Sequence, residues 1–345
     1  MLDLKIFYLR NKPIIAIPVN CSLKLSFMAV SCFPSFTLKK KIYKIYLYLY
    51  VLLTSLFIKK NNDEMNNPEL EIFLIFYQDF IKRETNKNIF PVFLWSTVDG
   101  RQRYYVHFLN LNGEKKYFAK LTTNINDYSL IKTEYNNLLL LEKRKKSEVL
   151  LFSTPKVIDF KTNHIYCSLV VESIKKGYKL FHPEKNPIPL ELIKNIQGKI
   201  YKKDLEDIMS FEWWKNSKSF DEVSILRKYI ISLNKDTYVD IAFGHGDFGG
   251  ENIFQNNKKE FIVIDWERST TNAPILLDLI SYWLGKNHKE LKNNQTEVID
   301  EFYNYFKSYS QKDVALALIF LASVNFDLSF IISKKWKYYM QKENL

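Results

Sequence analysis

Apolar positions settle into a regular rhythm after residue 65, where Leu70, Phe73, Leu74 and Tyr77 recur at helical spacing. Asn67 and Pro68 precede them, a capping residue followed by the proline that suits a first helical turn. The pattern predicts a helix ending near Arg83. Three strand-like, aromatic-rich stretches come next at 92–96, 104–109 and 116–121, separated by turn residues at Asp99-Gly100 and 110–113. They predict an antiparallel meander. From Asp127 to about Lys146 the apolar positions Leu130, Ile131, Tyr135, Leu138 and Leu139 return to helical spacing above a basic last turn. Residues 155–159 and 164–171 read as strands. Beyond Glu172 the pattern predicts helices at 190–210, 219–233, 274–285, 297–309 and 314–332, with short extended segments only near 240–265. The last of these is apolar, yet Asn325 and Asp327 inside it mark a core helix. The fold class is therefore α+β: a small antiparallel-sheet part with one main helix over 65–172, then a larger, mostly helical part over 173–345.

Residues 1–64 stand apart from this rhythm. The run from 42 to 58 is almost wholly apolar and lies between Lys39, Lys40, Lys41 and Lys59, Lys60. As a membrane anchor it is short, because Lys44 leaves only 14 residues from 45 to 58, against the roughly 17–25 that a spanning helix needs. A secretory leader is not indicated, since the apolar run lies far from the start and no small-residue cleavage site follows it. Two readings of the extension stand open: an anchor through 42–58, or a stretch outside a functional module that starts at Met65.

Composition changes the picture little. A chain that is 47% hydrophobic and 26% charged folds. Its net charge of +12 comes from 43 Lys and only 7 Arg, whereas bidentate phosphate recognition favours Arg. A nucleic-acid partner is thereby disfavoured, and the charge reads as a solvated surface. Cys21, Cys32 and Cys167 are odd in number and lack metal-ligand or disulfide spacing, which points to a reducing, cytoplasmic setting.

The chemistry concentrates in one loop. Four of the nine glycines fall within Gly244-His245-Gly246-Asp247-Phe248-Gly249-Gly250, ahead of Glu251 and Asn252. Gly244, Gly246 and Gly249 spell a dinucleotide-binding fingerprint, but the stretch between Ile253-Phe254 and Phe261-Ile262 leaves room for a tight turn and none for a crossover helix. Asp247-Phe248-Gly249 spells the metal-binding triplet of protein kinases, but without the His-Arg-Asp and Ala-Pro-Glu segments that accompany it. The third reading takes His245-Gly246-Asp247, Asn252 and Asp265 together. Phosphoryl transfer needs a carboxylate to orient the attacking hydroxyl and accept its proton, and oxygen ligands to hold Mg²⁺. Asp247 suits the first role, Asn252 and Asp265 the second, and a hairpin brings Asp265 back beside the loop.

In these residues the chain resembles the aminoglycoside phosphotransferase and choline kinase family, whose signature is His-Gly-Asp, four residues, Asn, then a hydrophobic strand ending in Asp. The likeness covers about 85–285. It implies a two-lobed kinase-like fold that binds Mg-ATP and transfers the γ-phosphate to a hydroxyl of a small molecule: an aminoglycoside, an amino alcohol such as choline, or a sugar. It implies further that Lys120, in Phe118-Ala119-Lys120, contacts ATP and pairs with Glu134. Asp278 would support the catalytic loop, with His245 structural. The turn at 96–101 holds only Gly100, so Ser96, Thr97 and backbone amides would serve the phosphates. By order along the chain, Glu172 and Ile174 would meet adenine. Trp213, Trp214 and Trp266 form either a cage for a quaternary ammonium or a core. Asp204, Glu206, Asp207 and Glu212 either attract a cationic acceptor or line a solvated helix. Two other functions remain open, a nucleotide-binding regulator without turnover and a membrane-tethered interaction protein.

Overall fold

A computed structural model describes residues 4–9, 12–18, 21–33, 38–57, 68–84, 88–96, 102–217, 223–234, 237–293, 296–324, 328 and 331–332. The chain divides into two units, Met1–Tyr135 with Pro155–Lys175, and Asn136–Thr154 with Lys176–Leu345. The class is α+β, with the antiparallel sheet in the N-terminal part and the helices mostly in the C-terminal part.

The first unit opens with β1 (Leu4–Leu9), β2 (Lys12–Pro18), α1 (Leu23–Ser31), α2 (Leu38–Phe57) and α3 (Pro68–Arg83). It continues with β3 (Ile89–Trp95), β4 (Arg103–Asn110), β5 (Lys115–Thr122) and α4 (Ile125–Ser147), whose residues from Asn136 on belong to the second unit. After β6 (Phe152–Ser153), which pairs in the second unit, come β7 (Val157–Thr162) and β8 (Cys167–Glu172). Seven strands form one sheet in the order β1-β2-β3-β4-β5-β8-β7, every neighbouring pair antiparallel.

Why 92–95 is apolar at every position follows from this sheet. Successive side chains on a strand face opposite sides. Phe93 packs with Phe73, Phe76 and Phe80 of α3 and with Phe108, its ring stacked on Phe73 at 4.5 Å between centroids. Val92 and Leu94 instead join Ala29 and Val30 of α1, Leu47 and Val51 of α2, and Ile15 and Ile17 of β2. Both faces are covered, as a continuous apolar run requires. The segments that the sequence pattern set apart are thus built into this sheet, with Ile15 opposite Leu94 and Ala16 opposite Phe93. No helix among the described residues is long and apolar enough to cross a membrane.

The second unit contains β9 (Lys179–Leu180), α5 (Leu190–Gln197), β10 (Tyr201–Asp204), α6 (Leu205–Ser210), α7 (Glu212–Asn216), α8 (Ser224–Ser232) and β11 (Tyr238–Gly244). Then come β12 (Ile253–Gln255), β13 (Phe261–Val263), β14 (Thr270–Pro274), α9 (Leu277–Lys286), α10 (His288–Lys292), α11 (Thr296–Phe306) and α12 (Gln311–Ser323). One sheet runs β10-β11-β14 and another β6-β13-β12-β9. The expected hairpin is present, pairing Ile253 with Val263 and Gln255 with Phe261.

The single helix expected over 190–210 is instead α5, β10 and α6. Gly198 breaks it with φ at 61°, a left-handed conformation that glycine adopts without steric cost. Asp204 then restarts it, its carboxylate accepting from the Asp207 amide at 2.8 Å as an N-cap. The helix expected from 274 begins at Leu277, because Pro274 closes β14. In the last predicted helix, Asn325 and Asp327 lie outside the described residues. The described part of α12 is buried from Val314 to Ala322, as a core helix is.

Candidate functional site

β11 delivers its chain end into the glycine loop. A Cβ on Gly244 would press on Ala273 Cβ at 2.5 Å, so only glycine lets β11 and β14 approach this closely. Gly246 has φ of 80°, and a side chain there would run into the Arg268 carbonyl. Asp278, in the first turn of α9, grips the loop with both oxygens. Its Oδ2 accepts from the His245 amide at 2.9 Å and its Oδ1 from the Gly246 amide at 3.0 Å. The carboxylate is fully buried, and burial pushes its pKa up while the two amides hold it back. A carboxylate also suits the positive end of the helix that carries it.

His245 is buried and committed to structure. Its Nε2 meets the Ile264 carbonyl at 2.8 Å, and its Nδ1 accepts from the Asp247 amide at 3.3 Å. A nitrogen that accepts from an N–H carries no hydrogen, so the proton belongs on Nε2, where it donates to the carbonyl. Ser269 Oγ donates to the His245 carbonyl at 2.9 Å, and the imidazole lies against Trp266 at 4.5 Å. Both ring nitrogens thus have partners within the second unit.

Asp247 is half-buried. Desolvation pushes its pKa above the ordinary 3.8, and the Arg268 guanidinium, 3.7 Å from Oδ2, pulls the other way. The Asp247 carbonyl accepts from Asn252 Nδ2 at 2.8 Å and from the Gly249 amide at 2.9 Å. The Asn252 amide nitrogen is thereby spent on the loop, and Oδ1 is the atom left for a cation. Asp265 follows β13 with φ 67° and ψ 59°. The left-handed region costs a non-glycine residue roughly 1–2 kcal/mol, and Asp is among the few that adopt it. Such strain clusters at functional positions. It is braced here by Trp266, fully buried with Nε1 donating to the Val263 carbonyl at 3.0 Å. Asn137 Nδ2 also braces it, donating to the Trp266 and Ser269 carbonyls at 3.0 Å each.

Arg268 and Asn137 were not singled out in the sequence. Arg268 carried a weak signal as one of seven arginines in a Lys-rich chain, three residues after Asp265. Asn137 carried none, because a helical asparagine more than a hundred residues from its partners looks like a surface residue.

In the first unit Lys120 and Glu134 form a buried ion pair, Nζ to Oε2 at 2.6 Å, between β5 and α4. The Ser96 amide donates to the Arg103 carbonyl at 3.0 Å, closing the connection from β3 to β4. Thr97 lies outside the described residues. The Glu172 amide donates to the Lys156 carbonyl at 2.9 Å, and the half-buried Ile174 follows. Lys120, Glu134, Ser96, Glu172 and Ile174 belong to the first unit, and His245, Asp247, Asn252, Asp265 and Asp278 to the second.

The tryptophans are core. Trp213, Trp214 and Trp266 are buried, Trp213 Nε1 donates to the Asn272 carbonyl at 3.0 Å, and Arg227 covers Trp214 at 4.1 Å from the ring centroid. Of the acidic stretch, Asp204 caps α6 and Asp207 pairs with Lys203 at 2.9 Å, while Glu206 and Glu212 are exposed.

No protein-family model matches the chain, and no curated protein matches it. Among solved structures it is similar to the aminoglycoside phosphotransferase APH(3'')-Id of Streptomyces rimosus in complex with ADP and streptomycin, at 11% identity and a TM-score of 0.45, over 74% of this chain and 99% of that one. It is similar to LicA in complex with AMP at 16% identity and a TM-score of 0.44, over 78% of this chain and 90% of that one. The choline kinase LicA of Streptococcus pneumoniae gives 15% identity and a TM-score of 0.36, over 80% and 92%.

Proposed function

We propose that this protein is an ATP- and Mg²⁺-dependent phosphotransferase acting on a hydroxyl of a small molecule. The observation that carries the reading is the two-amide grip of Asp278 on His245 and Gly246, which fixes the backbone on which Asp247 stands. Positioning and electrostatics supply most of the catalysis in phosphoryl transfer, so a base on a rigid loop is what the reaction needs. Asp247 accepts the proton of the attacking hydroxyl. The donors at Asn252 and Asp265 are oxygens, the ligand type that Mg²⁺ takes. When bound, the cation neutralises charge on the phosphates. Lys120, held by Glu134, offers its ammonium to the nucleotide phosphates, joined by Ser96, Thr97 and backbone amides. Glu172 and Ile174 meet the base. Aminoglycosides, amino alcohols and sugars are the acceptor classes.

Thermal denaturation of the full chain tests the nucleotide site. ATP with Mg²⁺ at a hundredfold excess over Kd is expected to stabilise the native protein by about 2.7 kcal/mol, and ATP with EDTA much less. Asp265→Asn should lose most of the Mg²⁺-dependent part. If the native chain shows no Mg²⁺-dependent rise in Tm, the reading fails.

A pH profile tests Asp247. Its pKa is raised by burial and held down by Arg268, and the base works only when ionised. The acid limb of kcat/KM therefore lies above the usual Asp value, with activity lost as pH falls through it. Removing the guanidinium raises the pKa further, so Arg268→Met should move the limb to higher pH. A limb that stays in place would separate Arg268 from the base.

A further inference from the structure

α2 is apolar on two opposite sides. Leu47 and Val51 point into the first unit's core. Ile42, Ile45, Tyr46, Leu49 and Tyr50 are between 39% and 61% exposed, and their spacing of three, four, seven and eight residues from Ile42 sets them in one stripe. Contiguous apolar surface of this kind marks an interaction site. The stripe is ordered along its length, with Tyr43, Tyr46 and Tyr50 stacked in sequence at 5.9 and 6.1 Å. The helix holds no acidic residue. Residues 1–62 carry ten Lys or Arg against one Asp, so most of the chain's +12 lies in the stretch that contains α2. Lys41 is exposed at the helix's N-terminal end.

We propose that α2 lies in the plane of an anionic lipid bilayer surface, with Ile42, Ile45, Tyr46, Leu49 and Tyr50 at the boundary of headgroups and acyl chains. Charge complementarity selects this occupant. Basic residues beside an apolar helical face are attracted to acidic headgroups, and tyrosine favours the membrane–water interface. A second copy of the chain would bring like charge against like across a two-fold axis. Spanning is excluded for α2, which is not apolar enough to cross. The proposal stands apart from the phosphotransferase reading, since none of these residues belongs to that site.

Co-sedimentation of the full chain with vesicles tests it. Pelleting is expected with equal phosphatidylcholine and phosphatidylglycerol but not with phosphatidylcholine alone, and added NaCl should release the protein as screening shortens the range of the attraction. Ile45→Asp with Leu49→Asp should lower the bound fraction about tenfold or more without lowering Tm, because both side chains are mostly exposed. Lys41→Glu should weaken binding in the same direction. The proposal is overturned if the native chain ignores mixed vesicles, or if the double variant pellets as well as the native chain. It is overturned equally if sedimentation velocity without lipid shows a native dimer that the double variant dissolves, which would give the stripe to a second copy.

Discussion

Asp247→Asn is expected to lower phosphate transfer from ATP by about 10²- to 10⁴-fold, the range for loss of a positioned general base, with Tm unchanged or slightly raised. The amide matches the carboxylate in shape and cannot take the hydroxyl proton. Asp247 is half-buried and burial disfavours its charge, so removing that charge does not cost the fold. The measurement is single-turnover transfer from radiolabelled ATP across a panel of aminoglycosides, amino alcohols and sugars, first with the native chain to find the acceptor and then with the variant. A variant that transfers at the native rate would remove Asp247 from the chemistry. One that also loses the Mg²⁺-ATP thermal shift would place Asp247 in binding instead.

Asp278→Ala is expected to cost about 2–6 kcal/mol of stability, read from urea unfolding. It leaves two buried backbone amides, those of His245 and Gly246, without their acceptor, and each such loss costs roughly 1–3 kcal/mol. Asp278→Asn keeps one acceptor oxygen and turns the other position into a donor facing an N–H, so it should fall between native and Ala. Activity should fall in both, since the backbone that carries Asp247 loosens. A stability change for Asp278→Ala within about 0.5 kcal/mol, the range of an ordinary surface substitution, would mean that the grip does not hold the loop.

Local patterns were legible where the rule that governs them is local. Helix α3 falls where the Asn67-Pro68 start and the apolar spacing placed it, and β4 and β5 meet at the expected turn over 110–113, whereas Asp99-Gly100 lie outside the described residues. The hairpin of β12 and β13 was readable because six residues between two apolar pairs permit nothing longer than a turn. The break at Gly198 was missed because a lone glycine within helical periodicity is often tolerated. Its φ of 61° becomes visible only in three dimensions.

By itself the sequence determined the α+β class and the chemically dense loop, because spacing of residue types is a one-dimensional property. His245, Asp247, Asn252 and Asp265 are close along the chain, and a tight hairpin is the only device needed to bring them near one another. Tertiary structure decided what is held by groups distant in sequence. Asn137 reaches the carbonyls of Trp266 and Ser269, and Asp278 takes amides more than thirty residues before it. It also decided the place of the first strands and helices. An apolar run such as 42–58 satisfies a membrane or a core equally well as a string of letters. The pairing of β2 with β3 put one side of α2 into the core, leaving the other uncovered, because only the partner surface distinguishes one apolar face from another.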